Sequence, residues 1–83
     1  MSIQLRFFAS LREALGDRAE LEAASPMTVA DARDALIARG EPWAGALARG
    51  RAVRCAVNKT LCDERTEVKP GDELAFFPPV TGG

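Results

Sequence analysis

The sequence predicts an α+β domain of two layers, an apolar-faced sheet packed on one main helix. Three observations predict it. Residues 3–9, 52–57 and 73–78 alternate side by side, the period-two pattern of strands with one buried face. The stretch after Thr28 instead sets Val29, Ala32 and Leu36 at i, i+3 and i+7, one apolar stripe of a helix. Breaks such as Ser25-Pro26 and "KPGD" (69–72) punctuate the chain between these periodic segments.

Each element follows in order. In "IQLRFFA" (3–9), Ile3, Leu5 and Phe7 point one way, while Gln4, Arg6 and Phe8 point the other. A short helix comes next: Ser10 and Glu13 have capping-box spacing, Leu11 and Leu15 lie one turn apart, and Gly16 suits the C′ position. "RAELEAA" (18–24) reads as a second strand. Thr28 is the N-cap expected for the main helix, with Asp31 in its first turn and Gly40 ending it. "PWAGALA" (42–48) predicts a further turn or two of helix with Pro42 at N1. Trp43 is expected as a core or lid residue rather than a binding platform. The last third is β: "AVRCAV" (52–57), a turn at Asn58-Lys59, the return strand "TLC", and "ELAFFP" (73–78). The expected order is β-α-β-α-α-β-β-β.

Composition limits function. Eighty-three residues make one small domain that hides about 60–65% of its unfolded surface. Residues 1–77 are expected to fold, and residues 78–83 to form a tail. Net charge is −1 with both signs mixed, so no basic stripe marks a nucleic-acid binder. No stretch approaches the roughly 20 apolar residues of a membrane span. The N-terminus lacks the pattern of a secretory signal, so a cytoplasmic location is expected. Histidine, the commonest metal ligand and usual general base, is absent. Two cysteines are too few for a four-thiolate zinc or iron–sulfur site, so no metal site is expected. No P-loop motif occurs. A self-sufficient enzyme does not fit.

Strand parity sets three apolar residues on the far side of the sheet. Phe8 lies with Gln4 and Arg6, and Phe77 lies opposite Leu74 and Phe76. With Asn58-Lys59 as the turn, Leu61 faces away from Val57 and Cys55. Phe8, Leu61 and Phe77 therefore project away from the main helix, as a docking patch would. Cover by the short helix or a loop is the plainer alternative. The same register sets Cys55 opposite Cys62, about 5.5 Å apart at Cα. That separation permits a disulfide. In a reducing compartment both read as small core-facing residues with no redox role.

The chain ends in "FFPPVTGG". Pro78 and Pro79 favour polyproline II, so the arm starts stiff. Gly82 and Gly83 have no Cβ and can enter a channel too narrow for side chains. The six residues Pro78, Pro79, Val80, Thr81, Gly82 and Gly83 reach at most about 20 Å. The chemical handle at the tip is the α-carboxylate, a poor electrophile until its oxygen becomes a leaving group. An acyl-adenylate would do this, but the ATP site must belong to a partner.

"FFPPVTGG", the opening "LRFFASLREALG", and "AVNKTL" before "PGDELAFFPP" closely resemble the small, sulfur-carrying subunits of molybdopterin synthases, across essentially the whole chain. The resemblance implies a ubiquitin-like β-grasp, a mixed sheet of about five strands wrapped on a main helix with short accessory helices. It implies that an E1-like adenylating enzyme activates Gly83 with ATP and Mg²⁺, neither bound by this chain. A sulfurtransferase or cysteine desulfurase then supplies sulfur for a thiocarboxylate. The tail, residues 78–83, inserts into the large subunit, which holds the catalytic residues. There sulfur passes to cyclic pyranopterin monophosphate, building the molybdopterin dithiolene. A 2+2 heterotetramer is implied, with no nucleic-acid or membrane partner. Phe8, Leu61 and Phe77 fall on the family's hydrophobic docking surface. Rival readings are a thiamine-pathway sulfur carrier, which is usually shorter and lacks the Phe-Phe-Pro-Pro run, and a ubiquitin-like modifier ending in an isopeptide bond. A plain interaction domain with a frayed tail leaves the stiff-then-small arm unexplained.

Overall fold

The computed structural model describes residues 1–79. A five-stranded mixed sheet has the order β2-β1-β7-β4-β5. Its strands are β1 (Ser2–Phe7), β2 (Arg18–Glu22), β4 (Arg54–Val57), β5 (Thr60–Cys62) and β7 (Glu73–Phe77). β1 and β7 run parallel at the centre, and the other pairs are antiparallel. The helices are α1 (Ala9–Leu15), α2 (Val29–Ile37) and α3 (Trp43–Ala46). Two short strands, β3 (Met27–Thr28) and β6 (Glu67–Val68), pair in a second small sheet.

Period-two patterning decides the packing. Ile3, Leu5 and Phe7 of β1 and Leu74 and Phe76 of β7 are almost fully buried, and they meet Val29, Ala32 and Leu36 of α2. Phe7 stacks on Phe76 with ring centroids 6.3 Å apart, and Trp43 tilts against Phe7 at 5.7 Å. Trp43 is thus a half-buried flank of the core, with the Arg39 guanidinium 5.1 Å above its ring. The α2 start is specified locally: Thr28 accepts from Asp31 N–H, and the Asp31 side chain accepts from Thr28 N–H. Asn58 and Lys59 both adopt positive φ, 49° and 69°, the type I′ geometry that suits a two-residue hairpin.

Several boundaries differ from the sequence expectation, each for a physical reason. Phe8, not Ser10, caps α1, without a side-chain hydrogen bond. The Phe8 N–H still bonds Phe76 O across the sheet, while its carbonyl takes the first helical N–H groups, from Leu11 and Arg12. Strand pairing therefore hands over directly to helix, through Ala9 at φ 53°. Pro42 occupies the N-cap of α3 rather than N1. β2 stops at Glu22 and β4 starts at Arg54, shorter than the alternating runs. β3 and β6 add to the expected elements, because two residues each are too few to show a period.

A candidate docking face and the base of the tail

The face of the sheet turned away from α2 is built by the residues alternating with the core. Register places Arg6, Ala75, Ala56 and Leu61 in one row across four strands. Phe77, opposite Arg54, lies in the next row, and Phe8 follows the end of β1 beside it. Leu61 is 69% exposed and Phe8 39% exposed, whereas Phe77 is half-buried. Ala56 and Ala75 are buried yet do not join the core cluster. They form the floor of a shallow apolar strip between Leu61 on one side and Phe77 and Phe8 on the other. Small residues there keep the strip low, a feature that polarity alone did not reveal in the sequence. Arginine borders it: the Arg6 guanidinium lies 5.4 Å from the Phe8 ring centroid, within cation–π range, and Arg54 stands beside Phe77. Arg6 Nε is buried without a hydrogen-bond partner, while the terminal nitrogens Nη2 and Nη1 of the same guanidinium lie 3.9 Å from Asp17 and from Glu73 respectively.

β7 delivers the chain to this face. Pro78, half-buried, and exposed Pro79 follow the strand directly. Val80, Thr81, Gly82 and Gly83 lie outside the described residues. The Asn58 turn steadies the start of β7: its side chain donates to Asp72 and accepts from Glu73 N–H, and its own N–H bonds Glu73 O. Backbone donation from Lys69, then the Asn58 side chain, holds the Asp72 carboxyl below the usual aspartate range.

Away from that face sits a second polar constellation, missed in the sequence because a charged residue on a helix reads as solvated. Arg33 on α2 is 3% exposed. It donates to the carbonyls of Leu47, Ala48 and Arg51 and to Glu64. Glu64 also pairs with Arg49, which in turn bonds Asp34 and Ala30 O. Burial pushes the Glu64 carboxyl up, but hydrogen bonds from Arg49 and Arg33 outweigh it and hold it below the glutamate range. The Glu64 and Thr66 carbonyls accept from Ala30 and Val29 at the start of α2. Saturated internal bonding of this kind fixes loops; it leaves no free acid or base for chemistry. Cys55 and Cys62 are free thiols with sulfurs 3.7 Å apart. Among the described residues no group of three or more His, Cys, Asp or Glu side chains could hold a metal ion. No described helix is long and apolar enough to cross a membrane.

The chain matches the ThiS family over residues 5–83, a match that runs through the terminal glycine. The molybdopterin synthase sulfur carrier subunit of Haemophilus influenzae is 45% identical over 83 residues, covering 98% of this chain and 99% of that protein. The subunit of the same name from Escherichia coli is 44% identical over 81 residues, with the same coverage. Among solved structures, SAMP1 from Haloferax volcanii superposes with a TM-score of 0.75 at 29% identity, covering all of both chains. A chain from the protein-protein complex of subunits 1 and 2 of the molybdopterin-converting factor of Helicobacter pylori gives 0.67 at 26%, again over all of both chains. The ubiquitin-like β-grasp and the sulfur-carrier resemblance expected from "FFPPVTGG" agree with these likenesses: the chain belongs to the ThiS family, alongside the molybdopterin synthase sulfur carrier subunits.

Proposed function

We propose that this chain is the sulfur carrier of molybdopterin assembly, with the Gly83 α-carboxylate as the carrying group. The observation behind this reading is the near-full-length identity of 44–45% to two proteins named as that subunit. The chain's own chemistry agrees. A stiff Pro78-Pro79 segment leaves β7 at the edge of an apolar, arginine-bordered face. The residues beyond it end without side chains. A terminus of this kind is chemically useful only once activated.

An E1-like adenylating partner with ATP and Mg²⁺ joins AMP to the Gly83 carboxylate, releasing pyrophosphate. A sulfurtransferase or cysteine desulfurase then supplies persulfide sulfur, which displaces AMP to give an acyl disulfide, and a thiol reductant cleaves the S–S bond to leave the thiocarboxylate. The apolar strip of Leu61, Phe77 and Phe8 docks the large subunit, and Pro78 to Gly83 enter its active site. Sulfur passes to cyclic pyranopterin monophosphate, and the chain departs as the carboxylate. This chain supplies the sulfur and its placement; the large subunit supplies the catalytic groups, in a 2+2 heterotetramer. The cycle runs in the cytoplasm. The test combines thiocarboxylated chain, large subunit and cyclic pyranopterin monophosphate. Molybdopterin formed in proportion to the thiocarboxylate consumed is expected; consumption without product would refute the assignment.

A second reading has its own support. Small archaeal modifier protein 3 of Haloferax volcanii is 33% identical over 92 residues, all of both chains. In a modifier, Gly83 would end in an isopeptide bond to lysine. Immunoblots of native cells against this chain would then show a ladder of conjugates rather than one band.

A further inference from the structure

We propose that Cys55 and Cys62 are a modification site, a dithiol that hydroperoxides oxidise to a reversible disulfide across the β4–β5 hairpin. The inference is independent of the sulfur-carrier reading. It departs from the sequence expectation that the pair has no redox role, and geometry is its basis. The two residues are direct cross-strand partners, and their sulfurs stand 3.7 Å apart while both remain free. In a two-residue hairpin the pair flanking the turn is hydrogen-bonded, and so is the pair two residues on, which here is Cys55 and Cys62. Such partners have Cα atoms about 5.5 Å apart, inside the range disulfides adopt. Closing the bond brings the sulfurs from 3.7 Å to about 2 Å.

Access is unequal in a useful way. Both cysteines line a cavity of about 340 Å³ at the sheet edge, with Arg54 and Leu61 also on its wall. Cys62 is half-exposed on the edge strand, whereas Cys55 is 3% exposed. Burial, then the hydrogen bond with Cys62, pushes the Cys55 thiol up to about 12. Cys62 is therefore the attacking thiol and Cys55 the resolving one. The Cys62 thiolate attacks one peroxide oxygen, the O–O bond breaks, and hydroxide leaves, giving Cys62 sulfenic acid. Cys55 sulfur then attacks the sulfenic sulfur. The S–S bond forms, the S–O bond breaks, and the departing hydroxide takes the Cys55 proton as water. In sum two thiols and one hydrogen peroxide give one disulfide and two waters. The product pins edge strand β5, which has a neighbour on one side only.

The experiment treats the reduced full-length chain with hydrogen peroxide, beside reduced glutathione as a reactive control, and follows free thiols, intact mass and peptide maps. Both thiols are expected to disappear together, with loss of two hydrogens and a linked peptide containing Cys55 and Cys62. Dithiothreitol should restore the starting mass. The oxidised chain should unfold at a higher temperature, because a cross-link that fits the native strands restricts mainly the unfolded chain. In Cys55→Ala, Cys62 should be trapped by dimedone as the sulfenic acid. Thiols that survive while glutathione is consumed would overturn the proposal. So would chain-to-chain disulfides in the wild type, or a lower unfolding temperature after oxidation.

Discussion

The two faces of the sheet are made by the same strands and are packed in opposite ways. Toward α2, Ile3, Leu5, Phe7, Leu74 and Phe76 are close to fully buried and hold the domain together. On the other face, one residue along each strand, stand Gln4, Arg6, Ala75, Phe77, Ala56 and Leu61, where only the alanines are buried. A side chain on the first face is constrained by shape in every direction. One on the second touches its neighbours sideways and leaves its top to solvent or a partner. If the open face docks a partner as proposed, folding and recognition are separated at single-residue resolution, and mutations should sort by strand parity.

The largest effect is expected on the packed face. Phe76→Ala removes a ring stacked on Phe7 and should cost about 3–5 kcal/mol of stability in urea titration. A cost below 1 kcal/mol would break the distinction between the faces. Next comes Arg33→Met, which keeps much of the side-chain volume but strands three carbonyls and deprives Glu64 of a partner. About 3 kcal/mol is expected, with faster hydrogen exchange in residues 47–51.

A smaller, pH-dependent effect should follow from Glu64. Its folded carboxyl sits below the unfolded value, so its contribution is present above the ordinary glutamate pKa of about 4.3. That contribution is lost as pH falls through the lower folded value. Stability measured between neutral pH and pH about 3 should fall less steeply in Glu64→Gln than in wild type. The smallest effect on folding is expected on the open face. Leu61→Asp should change stability by no more than about 0.5 kcal/mol while weakening binding to the large subunit at least tenfold. Equal losses in both measurements would mean that the face is structural.

Much of this arrangement was legible because period and turn chemistry agree locally. Alternation in residues 3–7 and 73–77 assigned both faces of the central strands. Thr28 and Asp31 marked the start of α2, and Asn58-Lys59 fixed the register that sets Cys55 against Cys62. Lysine at φ 69° made that turn a weak signal, since glycine is the usual choice there. What escaped was nonlocal. Ser10 and Glu13 have the right spacing for a capping box, but the Phe8 carbonyl, held by sheet pairing on the same residue's N–H, takes over the helix start. Arg33 is buried only because three carbonyls from residues 47–51 and a distant glutamate converge on it. The low strip of Ala56 and Ala75 becomes visible only when β7 and β4 are known to be neighbours.

The carrier mechanism is tested most directly by intact-mass spectrometry of the chain after incubation with the adenylating enzyme, ATP, Mg²⁺ and a sulfur donor. Wild type should exchange one oxygen for one sulfur, and tandem fragmentation should place that sulfur on Gly83. A chain lacking Gly83, or extended by one residue, should stay uncharged. Its reacting carbonyl would be displaced by about 3.5 Å, far beyond near-attack tolerance. Sulfur found on Cys55 or Cys62 instead, or full charging of the extended chain, would contradict a C-terminal carrier.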